Sequence, residues 1–474
     1  MRKRMSWILL SLFVVTGILL VSCGGTPTME PTEPPMEEPT EMPTEEPTEE
    51  PTEEPTEEPT EEPTEEPTEE PPMEIDCMGG EGGSVSMIGV WSGEEEGLFM
   101  SILEPFLNQC DVELTYEGTR DLAVYSTRIE GGDPPDISGI PNPGLLTRFE
   151  EYMVPLDEVI DLGQYSQTWQ DLGTVNGTVY GAFFKADTKS LVWYSPVIFD
   201  AQGWETPANW DEMQTLMDTM VEADAAPWSC GIESGDATGW VATDWIQDFL
   251  LRTQGPEYVE QWVDHEVPWT DQPIMDAWER YGEICGSDEY AVGGAQGTLN
   301  TSFQDSIRIV FQEPPQGYMV RHALFAGGII ADGFPELQAV DDYNFFIFPQ
   351  INEDIGAPMQ GGADVMAFFS PDNAAAVAMM NYMFGETGQR AMAQSGWGLS
   401  PNNNITADDY EDPLQGRAAE LLQEAPAFSF DADDRMPGGL NVDYFQGVVS
   451  YLGGGDLDEI LQGLEQAAVE AYGE

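Results

Sequence analysis

SVSMIGVWSGEEEGLFMSILEPFLNQCDVELTY, residues 84–116, decides the fold. Val85 to Trp91 is apolar and short, the length of a buried strand. A turn at Ser92-Gly93 leads into Glu94, and Ser92 and Glu95 have the Ser-x-x-Glu spacing of a helix capping box. Leu98, Ile102 and Phe106, joined by Leu103 and Leu107, then make one apolar face at helical period. Val112 to Tyr116 reads as a second strand. Asp136 to Ile140, stopped by Pro141-Asn142-Pro143, reads as a third. Strand, helix and strand at this spacing specify parallel pairing with right-handed crossovers, hence an α/β class. Ligands of open sheets sit beyond the carboxyl ends of the strands, which puts Trp91, Ser92, Glu94 and Asn142 on one rim.

The same grammar continues downstream. Tyr180 to Trp193 is mostly extended, a helix starts near Thr206, and Cys230 to Ile232 reads as a strand. Trp240 to Leu251 reads as an aromatic-rich helix and Asn344 to Phe348 as a strand. Ala374 to Met383 and Ile460 to Tyr472 read as helices.

Upstream, the chain changes character twice. Arg2, Lys3 and Arg4 precede an apolar run from Trp7 to Val21, too short for a comfortable membrane span and typical of an export signal. Leu20-Val-Ser-Cys23 resembles the lipobox of bacterial lipoproteins, which implies that residues 1–22 are removed and Cys23 is acylated. Residues 23–76 are a spacer. Thr-Glu-Glu-Pro repeats from Thr44, and proline at every fourth position denies it both helix and sheet. As polyproline II at about 3.1 Å per residue, Thr26 to Pro72 spans at most roughly 146 Å.

Composition then removes whole classes of function. The chain carries 88 acidic residues against 15 lysines and arginines, a formal net charge of −73, and the excess survives without the repeat. Such a field repels nucleic acid phosphates, so no nucleic acid partner is expected. Beyond Cys23 there are four cysteines, Cys77, Cys110, Cys230 and Cys285, an even set that suggests disulfides with three possible pairings. No Cys-x-x-Cys occurs, and the histidines are only His265 and His322, so neither a metal site nor a cofactor is expected. Gly-x-Ser-x-Gly, His-Glu-x-x-His and the Walker lysine are all missing, so no catalytic residue is assigned. Gly79-Gly-Glu-Gly-Gly precedes the first strand and is a joint, not a phosphate loop. A secreted glycosidase, which needs only two carboxylates, and a carbohydrate-binding adhesin are the rival readings.

Several stretches together carry a family resemblance: Val90-Trp-Ser-Gly-Glu-Glu-Glu, Gly131-Gly-Asp-Pro-Pro-Asp-Ile, Pro141-Asn-Pro-Gly-Leu-Leu and Lys189-Ser-Leu-Val-Trp-Tyr-Ser-Pro. Pro227-Trp-Ser-Cys-Gly-Ile-Glu-Ser-Gly, Gly239-Trp-Val-Ala-Thr-Asp-Trp, Gly361-Gly-Ala-Asp and Gly396-Trp-Gly-Leu-Ser-Pro complete it. In this order, after residue 84, the chain resembles the extracellular solute-binding proteins of ABC sugar importers, in particular the α-glucoside-binding branch. The resemblance implies a two-lobed periplasmic-binding-protein fold with a hinge and an interlobe ligand cleft. Lobe 1 would be 77–187 and 359–405; lobe 2 would be 188–358 and 406–474. It implies a monomer on the outer face of the cytoplasmic membrane, partnered by a permease with a cytoplasmic ATPase. Its ligand would be a sugar, an α-glucoside or a short oligosaccharide, bound and not turned over.

A pyranose has apolar faces and a rim of hydroxyls, so the candidate site pairs aromatic platforms with polar groups. Trp91, Trp193, Trp240 and Trp397 fall in or beside the family stretches. Trp210, Trp262 and Trp278 have helical spacings that suggest packing. Glu94, Glu233, Asp244 and Asp364 are the carboxylates, with Ser92, Asn142 and Gly362 beside them. Lys189 and Arg321 stand out because cations are scarce, as does Lys185 on the approach to the first crossing. Either Lys189 or Arg321 would serve equally as a link between lobes. Trp397 stands where relatives often carry a smaller aromatic. Cys77 precedes the first strand and Cys110 the second, which as parallel neighbours would bring them together. Cys230 with Cys285 would then tie two parts of lobe 2.

Overall fold

The opening strand, β1 (Ser84–Gly89), pairs in parallel with β2 (Glu113–Gly118) on one side and with β3 (Ile137–Ile140) on the other, as the strand–helix–strand reading requires. A computed structural model describes residues 75–119, 121–141, 143–437 and 439–473; the expected signal, Cys23 and the Glu-Pro repeat lie outside them. The helix between β1 and β2 is Glu94–Cys110. Its buried stripe keeps Ile102, Leu103 and Phe106 of the expected face and adds Phe99 and Cys110, while Leu98 stays 37% exposed. The expected Ser92 cap does not form either: Gly93 is the N-cap, and its φ of 64° turns the chain before Ser92 can reach an orphan amide.

Four more strands lead away from and back to this sheet. β4 (Ala182–Thr188) is followed by β5 (Leu191–Tyr194), β6 (Met319–His322) and β7 (Asn344–Ile347), which form a separate three-stranded antiparallel sheet in the order β6-β5-β7. β5 alternates as a two-faced strand must. Leu191 and Trp193 face helices Phe303–Phe311 and Ala326–Gly333, while Val192 faces Trp210–Glu222 and Trp240–Thr253. These elements, with Leu440–Leu452 and Leu457–Tyr472, make the second lobe. Cys230 to Ile232 forms no strand. Its neighbours Trp228 and Glu233 make isolated bridges, which leave the segment extended but outside any ladder.

The chain returns through β8 (Met359–Phe368), which lies antiparallel to both β3 and β4, and then through β9 (Phe428–Phe430), parallel to the start of β8. The third passage follows β9. Residues 406–430 touch both sides: β9 extends the first sheet, while Arg417 donates to Asn344 at 2.6 Å and covers the Phe345 ring of β7. The second-lobe core resumes at Ala432. Leu414, Ala418 and Leu422 form the buried stripe of the helix Pro413–Glu424. The three passages are stitched by backbone hydrogen bonds: Lys189 N–H to Gln360 O, Met359 N–H to Ala427 O and Asp431 N–H to Gly361 O.

Both disulfides pair as expected, the first as the strand order suggested. Cys77 joins Cys110 with Cα atoms 5.5 Å apart, and Cys230 joins Cys285 at 5.6 Å. No helix among the described residues is long and apolar enough to cross a membrane.

Candidate functional site

Strand β4 carries the site because a strand's side chains alternate. Phe184, Ala186 and Thr188 are buried, so Lys185, Asp187 and, just past its end, Lys189 share the opposite, partly open face. Across the ladder, Asp364 pairs with Lys185 and Gly362 with Asp187. A Cβ built on Gly362 meets nothing within 4 Å, so the sheet is open above Asp187. Gly361 is the opposite case, with the Asp187 carbonyl 2.0 Å from where its Cβ would lie.

The two lysines are held from different lobes. Lys185 Nζ lies 3.0 Å from Asp364 and 5.1 Å from the centre of the Trp397 ring. Lys189 Nζ lies 3.3 Å from Asp244, bonds Asp431, and sits 5.2 Å from the Trp240 ring. Burial alone would pull both ammonium groups down. Asp364 and Asp187 for Lys185, and Asp244 and Asp433 for Lys189, outweigh it and hold both above the usual lysine value. Asp187 stands between them without an ion pair among the described residues, accepting 2.8 Å from the Thr188 amide. Burial pushes its carboxyl up against the pull of Lys185. It is therefore a poised acceptor: flanked by cations, spent on neither.

Behind this floor, Gln360 joins the passages. Its Oε1 accepts from Arg321 Nη2 at 2.8 Å, and its Nε2 donates to Asp244 at 2.9 Å and Asp431 at 3.2 Å. Arg321 also donates through Nε to Asp248 at 2.8 Å and lies 3.2 Å from Asp244, while Asp248 further receives Ser190 and Arg252. Asp431, Asp433 and Asp434 come within 4.8 Å of one another, with Lys189 on Asp431 and the Thr243 hydroxyl donating to Asp433 at 2.5 Å. Burial, with Asp434 and Asp244 adding and Lys189 opposing, pushes Asp433 up to about 7.

This geometry sorts the sequence candidates. Trp240, Trp397, Lys189, Gly362 and Asp364 gather at the floor and its walls, with Lys185. Trp91 is 0% exposed: it packs on Phe99, Phe184 and Trp397 and donates to Asp364 at 3.3 Å, so it supports the wall and is not a platform. Trp193 is likewise core, its indole N–H bonded to the His322 carbonyl and its ring against Phe345 and Tyr343. Asp244 and Arg321 are each 1% exposed and consumed by the ion network, which makes Arg321 a tie between elements and not a ligand contact. Ser92 is exposed in the turn after β1, and Glu233 is exposed with its carboxylate accepting from Gly235. Asn142 and the side chain of Glu94 lie outside the described residues. Sequence reading missed Asp187, Gln360, Asp431 and Asp433. Only Asp187 carried a signal, the Lys-x-Asp-x-Lys alternation at 185–189.

Residues 99–390 match the family described as bacterial extracellular solute-binding protein. The chain is 37% identical over 391 residues to the osmoprotective compounds-binding protein GgtB of Synechocystis sp., covering 81% of this chain and 92% of that one. It is 33% identical over 408 residues to the alpha-glucosides-binding periplasmic protein AglE of Rhizobium meliloti, covering 82% and 87%. Among solved structures, the bacterial solute receptor AcbH superposes with a TM-score of 0.71 at 20% identity, over 84% of this chain and 100% of that one. That likeness is one of fold.

Proposed function

The chain belongs to the bacterial extracellular solute-binding proteins, and from that premise we propose that it captures a neutral sugar between its lobes and delivers it to an ABC permease. One observation carries the reading: a polar floor of Lys185, Asp187 and Lys189, open at Gly362, bracketed by Trp397 from one lobe and Trp240 from the other. A pyranose presents apolar faces to aromatic rings and hydroxyls to charged groups that can each donate or accept. Donors and acceptors alternate on the floor, and each lysine already has a carboxylate, so an anionic ligand would find no free cation there. The relatives' names, one for α-glucosides and one for osmoprotective compounds, support an α-glucoside or short oligosaccharide. Hinge closure over the β4, β8 and β9 passages would enclose it.

The test is calorimetry with trehalose, sucrose, maltose, isomaltose and methyl α-D-glucopyranoside. Saturable binding without release of reducing sugar is expected. No binding across the panel, or hydrolysis, overturns the reading. In this proposal Cys23 carries the lipid anchor, residues 23–76 lift the lobes from the outer face of the membrane, and a permease with its ATPase takes the ligand. Cys23→Ala is expected to move the protein from the membrane to the soluble fraction; unchanged fractionation sinks the anchor.

A further inference from the structure

His322 ends strand β6 with its side chain buried, 1% exposed. The Ala323 amide donates to its Nδ1 at 3.2 Å, so Nδ1 is the acceptor and the ring proton sits on Nε2. Burial, then Arg321 and Lys189, pull the ring down to about 3, so this tautomer holds at any ordinary pH. Yet Nε2 has no hydrogen-bond partner among the described residues. A buried donor left unsatisfied is costly, and structures that keep one are usually holding it for something.

Its surroundings say for what. Three aromatic rings enclose the imidazole: Trp240 at 5.4 Å, Phe325 at 5.0 Å and Phe303 at 5.7 Å between centres. Phe325 is 40% exposed, and Trp240 and Phe303 are half-buried, so the nest opens outward. Trp240 is also the ring that Lys189 covers at the cleft floor, so nest and floor share a wall. Phe303 is tied to the exposed Glu233 by its backbone amide.

We propose that His322 is the specificity-determining donor of a second subsite, in which Trp240 and Phe325 receive the apolar face of a ligand's second ring and Nε2–H binds an acceptor oxygen on it. This deepens the reading above and rests on it. The class of ligand follows: a neutral glycoside of two units, one on the Lys185–Asp187–Lys189 floor and one in the nest. A cationic second group is disfavoured by Arg321 and Lys189 nearby. Phe325, the exposed member, is the ring whose rotation admits the oxygen to Nε2.

The experiment takes the tightest disaccharide of the panel and methyl α-D-glucopyranoside, with His322→Phe, which keeps a ring and removes the donor, and His322→Gln, which keeps a donor. His322→Phe is expected to weaken the disaccharide by about tenfold while changing the monosaccharide by less than about twofold. His322→Gln is expected to restore part of the loss, and it carries the test alone if His322→Phe does not fold. Unchanged disaccharide binding in His322→Phe, or equal weakening of both sugars in either variant, overturns the subsite and marks the histidine as packing. A wild type that binds nothing in the panel overturns the sugar reading instead.

Discussion

Lys185 and Lys189 stand four residues apart on one face of a crossing strand, and each covers the tryptophan of a different lobe. Because they share a strand face, any movement of one lobe against the other changes how at least one lysine sits on its ring. A ligand's apolar face competes with an ammonium for the same aromatic surface. The lysines have carboxylates to fall back on, so vacating the rings leaves no buried charge alone.

The platforms can be told from their supports. Trp240→Ala and Trp397→Ala are each expected to weaken sugar binding by about tenfold to a hundredfold, if stacking here resembles base–aromatic stacking of about 1–3 kcal/mol. Trp91→Ala is expected to act on stability instead, at about 3–5 kcal/mol for a core tryptophan. Calorimetry and denaturant unfolding on the three variants separate the roles. Tight binding by both Trp240→Ala and Trp397→Ala would remove the walls from the site.

Gly362 faces open space, so a side chain there costs the fold little and fills the floor. Gly362→Leu is expected to weaken binding by about tenfold or more, roughly 1.4 kcal/mol, with the unfolding midpoint unchanged. Loss of stability with retained affinity would place the ligand elsewhere.

Arg321 balances Asp244 and Asp248 out of water. Arg321→Met leaves both carboxylates short of a partner, and breaking a buried pair in this way costs about 3–5 kcal/mol. Urea unfolding is the measurement. A change below about 1 kcal/mol would mean that water reaches the network.

Asp433 gives a pH dependence of definite sign. Its carboxyl is raised from 3.8 to about 7, so the folded state holds this proton more tightly than the unfolded chain. The stability it contributes is complete below about pH 4 and is lost as pH rises towards 7. Asp433→Asn, which cannot ionise, is expected to gain on the wild type between pH 4 and 7 and to run parallel above. Parallel curves from pH 4 to 8 would show that the group does not titrate there.

How much of this was legible follows from sequence distance. The sheet could be read from residues 84–140 because strand, helix and strand are neighbours in the chain, and the first disulfide followed from the same order. The floor was half legible: scarcity singled out Lys189 and alternation made Lys185 visible, but Asp187 looked like one more acid in an acidic chain. Gln360, Asp431 and Asp433 come from distant segments that meet only at the passages, and no local pattern announces that. Tryptophan misled for a physical reason. Trp91 and Trp193 sit in family stretches yet are both fully buried, and nothing in a sequence tells a buried indole from a half-exposed one.

β8 lies between strands β3 and β4, which the ribosome delivers long before it, with Phe368 against Ile137 and Gly362 against Asp187. The first sheet cannot close until the last quarter of the chain exists, and β9 comes later still. Contacts so remote in sequence slow folding. In a family whose members work outside the cell, such a delay would keep the chain threadable until it reaches the place where its lobes form.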